Sequence, residues 1–303
     1  MYKAIGRMKR FFEDFSREHE KTAGGIEPDQ GYPFRAISNN KLPTINYTDS
    51  GVNYMKKVIA IHASRRKMNT YRLLVQIQQE LAQNDAEVEI LSLYDFNLGD
   101  CLGCEKCILR GGCVHRDDME LLMEKMKAAD GIILSSPVYL QQVSGKLKNF
   151  IDRTCEWYHR PVLHGKPVIC VATTKGSGLK ATLSYLRSVA VQWGAMPAGS
   201  VGRTIRSIDT PVSKKELSGF IKLLRTPQGY RPPLSSLINF EVQKALAKYL
   251  NGIDTRYWIE KGWDKNPYYF KCRLNGIKRI ASGIFGTILQ HGMACNQTKP
   301  SEK

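Results

Sequence analysis

The middle of this chain predicts a doubly wound α/β domain built on a parallel sheet, and three observations carry that prediction. Apolar runs of strand length recur (VIAIHA, GIIL, VICVA), stretches with helical periodicity alternate with them, and the runs are apolar on both faces. A strand covered by helices on both sides needs that last property. Residues 57–62 (KVIAIH) form the first strand, and residues 69–82 the first helix, with Leu73, Leu74, Ile77 and Leu81 at helical spacing. Residues 87–91 are the second strand. A helix opened by Asp117 or Asp118 as N-cap carries Met119, Leu122, Met123 and Met126 at i, i+3, i+4, i+7. Residues 131–135 are the third strand, and residues 144–158 read as one helix with Leu147, Phe150 and Ile151 on one face. Residues 167–173 are the fourth strand, 177–193 the fourth helix, and 196–201 a weaker fifth strand.

The chain has 303 residues, about two domains' worth, and 42% of them are hydrophobic, which excludes wholesale disorder. No apolar run approaches the ~18–20 residues that cross a bilayer. The opening MYKAIGRMKRFFEDFSREHE carries charge throughout and has no apolar core, so no secretory signal is expected there and the protein is expected in the cytoplasm. Residues 57–202, read as the α/β domain, hold 18 basic and 14 acidic residues (net +4). Residues 203–303 hold 18 basic and 7 acidic (net +11) and read as a basic, mainly helical C-terminal extension. Residues 1–56 are an N-terminal extension. The basic extension suits an anionic membrane surface or an acidic partner. No helix-turn-helix or RNA-binding signature is present, so nucleic acid is not expected.

In a doubly wound sheet, ligands bind at the carboxyl ends of the strands near the switch in strand order. The loop after the first strand, ASRRKMNT, joins hydroxyl, amide and cationic groups to a helix amino terminus, a ready anion site. It has neither GK[ST] nor GxGxxG, which weakens the nucleoside triphosphate and dinucleotide readings. The loop after the third strand, SSPVYLQQVS, offers Tyr139 as a platform for a flat ring. The loop after the fourth, TTKGSG, is glycine-rich and carries Lys175.

Eight cysteines without a secretory signal argue against a disulfide scaffold. Cys101, Cys104, Cys107 and Cys113 form C-x2-C-x2-C-x5-C, with Gly103, Gly111 and Gly112 interleaved. Four thiolates this close can wrap one small inorganic core, and the glycines let the backbone curl around it. Structural zinc normally uses two separated knuckles, so one [4Fe–4S] cluster is the favoured reading, with zinc or an unliganded thiol loop as alternatives. Cys155, Cys170, Cys272 and Cys295 are expected to be buried small hydrophobes.

Residues ~57–202 resemble the NADPH-dependent FMN reductase superfamily, and the cysteine spacing resembles the iron–sulfur flavoproteins of anaerobes. The resemblance rests on the ASRRKMNT loop, CLGCEKCILRGGCVHRDDM, ADGIILSSPVY, SGKLKNFIDR and RPVLHGKPVICVATTKGSGLKATLSYL. It implies a flavodoxin-like five-stranded parallel sheet, here with helical N- and C-terminal extensions. It implies that Ser64, Arg65, Asn69 and Thr70 hold the FMN phosphate. Pro137, Val138, Tyr139, Leu140, Gln141 and Gln142 would line the isoalloxazine, and Thr173, Thr174, Lys175, Gly176 and Ser177 its pyrimidine edge. The quartet Cys101, Cys104, Cys107 and Cys113 would hold the cluster. Where the family usually has Gly-Ser-Pro-Arg, this chain has His62-Ala63-Ser64-Arg65. A homodimer or tetramer receiving electrons from ferredoxin or NAD(P)H is also implied.

The expected function is therefore an FMN- and [4Fe–4S]-dependent oxidoreductase passing electrons from such a donor to a small-molecule acceptor. A clusterless NAD(P)H-dependent flavin or quinone reductase, or a cluster-bearing redox sensor or electron carrier, are the alternatives. No catalytic acid or base is expected, because the chemistry resides on the flavin; Tyr139, His159 and His164 are candidates by position only. In the extension, the aromatic stretch TRYWIEKGWDKNPYYFK could cover the flavin mouth or a subunit interface, with packing as the favoured reading. Residues 277–290 carry Ile277, Ile280, Ala281, Ile284, Phe285, Ile288 and Leu289 at helical spacing. That stripe predicts packing on the protein's own domain or on a second subunit, or a peripheral contact with anionic membrane.

Overall fold

The protein is described here by a computed structural model covering residues 55–249 and 252–297. The N-terminal extension up to residue 54 and the Cys295 side chain lie outside the described residues. Five parallel strands, β1 (Lys56–His62), β2 (Ala86–Ser92), β3 (Gly131–Pro137), β4 (Pro167–Thr174) and β5 (Met196–Thr204), pair in the order β2-β1-β3-β4-β5. This is the flavodoxin-like order, with its switch point between β1 and β3. All eight residues of β4 are buried, as its unbroken apolar run requires.

Alternate strand residues feed two cores. On one face Ile59, Ile61, Ile132, Leu134 and Cys170 meet helices α3 (Met119–Ala128), α4 (Gly145–Asp152) and α6 (Leu179–Gln192). Burial there pushes the Cys170 thiol up to about 12, which keeps it protonated. On the other face Val58, Ala60, Ile133 and Val171 meet α1 (Asn69–Ala82) and α7 (Lys214–Arg225). Helix α7 lies beyond residue 202, where the α/β pattern fades in the sequence. A Ser213–Glu216 capping box starts it, and Leu217, Phe220 and Leu224 cover the sheet. Gly131 permits that approach, because a Cβ there would stand 2.7 Å from Leu224.

The single helix expected over 144–158 is instead two: α4 and the short α5 (Glu156–His159). Between them the chain tightens into Thr154 N–H to Ile151 O and Cys155 N–H to Asp152 O bonds, and the Thr154 hydroxyl donates to the Ile151 carbonyl. Side-chain competition for the last helical carbonyls ends the helix.

The C-terminal extension builds a third core. Helices α8 (Leu234–Tyr249) and α9 (Gly252–Glu260) enclose Phe240, Trp258, Trp263, Tyr268 and Tyr269 in edge-to-face and tilted contacts. The aromatic stretch is thus a packing element, as its sequence suggests. Helix α10 (Gly276–Gln297) splits its apolar stripe. Ser282, Gly286 and Leu289 are buried, with Gly286 against Glu241 of α8, while Ile277, Ile280, Ile284 and Ile288 face outward. Among the described residues no helix is long and apolar enough to cross a membrane.

Candidate functional site

The three loops singled out in the sequence meet at the carboxyl edge of β1, β3 and β4. Thr70, in the first turn of α1, shares a 2.6 Å hydroxyl–hydroxyl bond with Thr173 at the end of β4. Val138 N–H donates to Thr173 O at 2.8 Å, and the Ser144 hydroxyl donates to Ala63 O at 2.8 Å. Gln141 Nε2 donates to Ser177 Oγ at 2.7 Å. Gly178, at φ +86°, completes the junction: a Cβ there would fall 2.8 Å from the Gln141 Cα.

Helix α1 opens at Met68 with no side-chain cap and no acidic residue in its first turn. Its free N–H groups and dipole therefore face outward for an anion. Arg65, Arg66 and Lys67 are exposed beside it, and Arg65 and Lys146 both lie over the Tyr94 ring, 5.2 and 5.8 Å from its centroid. Asn69 is half-buried and Thr70 buried. Ser64 is buried too, its hydroxyl donating to Arg66 O at 3.2 Å. Ala63, the departure from the family pattern, is fully buried in the core. A serine hydroxyl at that position would begin among apolar neighbours.

After β3 the chain makes a tight turn, Tyr139 and Gln142 exchanging 2.8 and 3.0 Å backbone bonds. Leu140 (φ 44°) and Gln141 (φ 71°) are both left-handed, an uncommon conformation for side chains other than Gly, Asn or Asp. Pro137 and Val138 are half-buried; Tyr139, Gln142 and Leu140 are exposed, Leu140 by 99%. Thr174 shapes the fourth loop, its hydroxyl donating to Ser177 O and accepting from Gly176 N–H, which leaves Lys175 exposed. Sequence reasoning did not single out His62. Its ring is fully buried at the end of β1, neither nitrogen has a hydrogen-bond partner, and burial lowers its pKa.

The cysteine loop forms the second part of the site. Cys101, Cys104, Cys107 and Cys113 line one cavity of about 170 Å³. Gly103, Glu105, Gly111 and Gly112 have left-handed backbones, which curl the loop around its short helix α2 (Lys106–Leu109). Among the described residues no three His, Cys, Asp or Glu side chains converge as a single metal ion requires. Four soft thiols spread over a cavity wall do match the donor chemistry of a cluster. The helix α4 motif fixes the start of the loop: Cys101 N–H donates to Asn149 Oδ1 at 3.0 Å, while Asn149 and Arg153 donate to Gly99 O. Arg153 also makes a bidentate pair with Asp117 at 2.7 and 2.9 Å, which holds the Asp117 carboxyl down to about 2. Arg160 donates to the Cys107 and Ile108 carbonyls and pairs with Asp254 of α9, a fully buried carboxylate that also bonds His159 Nδ1 at 3.0 Å. The C-terminal extension thus braces the cysteine loop.

His159 and His164, candidates by position alone, pack on the extension and not at the flavin loops; His164 stands edge-on to Trp263, and burial lowers its pKa to about 4. Two expectations are corrected. Cys272 is only half-buried. Cys155 is exposed, because the break after α4 turns it outward into the wall of the cysteine cavity. It lines the same cavity as Cys107, and the proximity of the two thiols brings that of Cys107 down to about 7 and raises that of Cys155. Sequence reasoning also missed Asn149, Arg153 and Arg160. The signal was the i, i+4 pair Asn149/Arg153 inside an otherwise amphipathic helix pattern.

Comparison with known proteins places this edge in context. The NADPH-dependent FMN reductase family matches residues 56–207. An iron-sulfur flavoprotein of Archaeoglobus fulgidus is 34% identical over 146 residues, 48% of this chain and 66% of its own. A second from the same organism is 41% identical over 98 residues, 32% of this chain and 48% of its own. The chain therefore spans about half to two thirds of these relatives' length. Among solved structures, the apo form of an NADH:FMN oxidoreductase (EmoB) aligns at 21% identity and TM-score 0.41, over 57% of this chain and 88% of its own.

Proposed function

Because the chain belongs to the NADPH-dependent FMN reductase family, we propose that it is an FMN-dependent oxidoreductase that also carries a [4Fe–4S] cluster. In this reading it passes electrons from ferredoxin or NAD(P)H to a small-molecule acceptor. The observation that carries the reading is the joining of three loops at the β1/β3 switch beside an uncapped, cation-flanked helix start. When bound, FMN supplies two-electron chemistry and the cluster one-electron transfer.

The protein's own part is to bind and orient. The first-turn N–H groups of α1, Arg65, Ser64, Asn69 and Thr70 would hold the phosphate. The 137–142 turn and residues 173–177 would face the ring, with Lys175 and the Gly176 region near its pyrimidine edge. Cys101, Cys104, Cys107 and Cys113 would hold the cluster, supported by Asn149, Arg153 and Arg160. No side chain here is assigned a proton-transfer role.

Arg65→Ala tests the phosphate assignment. A charge-assisted hydrogen bond contributes about 1.5–3 kcal/mol, so FMN should bind roughly ten- to a hundredfold more weakly. Riboflavin, lacking the phosphate, should be unaffected. Equal loss for both ligands would remove Arg65 from the phosphate site.

The outward isoleucines of α10, with Lys278 and Arg279 beside them, support a peripheral contact with anionic lipid. Full-length protein should co-sediment with phosphatidylserine vesicles at low salt and release as salt rises, and a 1–275 truncation should not bind. If full-length protein ignores the vesicles, the stripe serves another surface.

A further inference from the structure

Asp254 stands on α9 of the C-terminal extension, outside the α/β domain, yet it is fully buried and both its carboxylate oxygens are bonded to side chains of that domain. We infer that Asp254 is a positioning residue of the cysteine site: it fixes Arg160 against the Cys107 and Ile108 carbonyls and thereby holds Cys107 in the place from which it ligates. The C-terminal extension is then a working part of that site. What the inference says of ligation rests on the cluster reading of the preceding section.

Three observations support it. First, helix α2 is a single turn of four residues, and carbonyls at the end of so short a helix project past it toward other donors. Those of Cys107 and Ile108 accept from Arg160, Nη2 giving to Cys107 O and Nη1 to Ile108 O at 3.2 Å. Second, Arg160 does not hold that position unaided. Its Nη1 also donates to Asp254 Oδ1, while Asp254 Oδ2 stands 3.0 Å from His159 Nδ1. One turn further along α9, the Trp258 indole N–H donates to His159 O at 2.8 Å. A single helix of the extension therefore fixes residues 159 and 160 through side chains and backbone alike. Third, the grip has a second side. Glu156 Oε2 accepts from Arg160 Nη2 and from Gly112 N–H, each at 3.4 Å. The guanidinium thus ties the helix that carries Cys107 to the glycine turn that leads to Cys113.

A buried carboxylate is costly unless paired, and a pair that serves folding alone can be exchanged for apolar groups of similar volume with little loss of stability, or with a gain. A pair that serves position cannot, because no apolar side chain donates to a carbonyl. Arg160→Met/Asp254→Leu makes that distinction, and Asp254→Asn removes the counter-charge alone.

The test uses full-length protein isolated without oxygen, as wild type and as these two variants. Urea unfolding reports the fold. Hydrogen exchange compares the amides of Ile108, Leu109, Arg110 and Gly112, all hydrogen-bonded, with those of β4. Iron is counted per chain and its removal by a chelator is timed. The double variant should unfold at the wild-type midpoint or above it. Its loop amides should exchange roughly tenfold faster with β4 unchanged, and its iron should leave roughly tenfold faster, as loss of a charge-assisted hydrogen bond requires. Asp254→Asn should fall between wild type and the double variant. A folded double variant with wild-type loop exchange and wild-type iron retention overturns the positioning role. If the double variant does not fold, Asp254→Asn decides: acceleration confined to the loop supports the role, and equal acceleration in β4 overturns it. Iron-free wild-type protein rejects the cluster reading, and the exchange comparison alone then decides whether Asp254 positions the loop.

Discussion

Replacing Cys107 with serine should strip most of the iron from anaerobically isolated protein. The broad absorption near ~400 nm, which arises from thiolate-to-iron charge transfer, should go with it. The expectation follows from ligand chemistry and from support. A serine oxygen is a hard, weakly acidic donor where the site offers soft thiols. Arg160 holds the Cys107 carbonyl, which the substitution leaves in place, so the serine oxygen is kept where the thiol stood. Cys155 stands beside the vacated position, and the double variant Cys107→Ser/Cys155→Ala excludes its substitution as a ligand. Wild-type protein that holds zinc and no iron would contradict the cluster assignment outright.

Asp117→Asn should destabilise the protein by about 3 kcal/mol, at the lower end for breaking a buried ion pair. Asp117 Oδ1 accepts from Arg153 Nη2 and Met119 N–H, and Oδ2 accepts from Arg153 Nη1 and Gly99 N–H. Either orientation of an asparagine amide turns its NH2 against two donors, and Arg153, nearly fully buried, loses its counter-charge. Urea unfolding should show a lower midpoint at unchanged slope. The same pair sets an acid limit. Arg153 holds the Asp117 carboxyl at about 2, below its ordinary 3.8. Its contribution is complete above pH ~4 and is lost as pH falls toward 2, because the unfolded chain takes up the proton first. The asparagine variant should lack that segment of the acid transition. A variant as stable as wild type would show that the pair contributes nothing.

The sheet was legible because buried parallel strands need apolar runs, and GIIL and VICVA have no other use at that length. The three ligand-facing loops were legible because strand ends and glycine-rich turns are local signals. The split between α4 and α5 was not. Leu147, Phe150 and Ile151 keep helical spacing up to the break, and the break depends on a hydroxyl at Thr154 and on Arg153 reaching Asp117, a partner distant in sequence. Missing that break hid Cys155, which a continuous helix pattern assigns to packing. The brace from Asp254 was equally hidden, since a lone acidic residue in a basic segment gives no hint that it is buried against Arg160 and His159. Helix α7 completes the second face from beyond the point where alternation with strands ends.

The measurement closest to the central claim is an anaerobic reductive titration of the full-length protein, counting electrons per chain while flavin absorbance and the cluster's paramagnetic signal are followed together. About three electrons per chain are expected, roughly two bleaching the flavin and one appearing on the cluster. Uptake of about two electrons with flavin bleaching and no iron signal would reduce the protein to a clusterless flavin reductase. Uptake of none, with no flavin retained, would contradict the account.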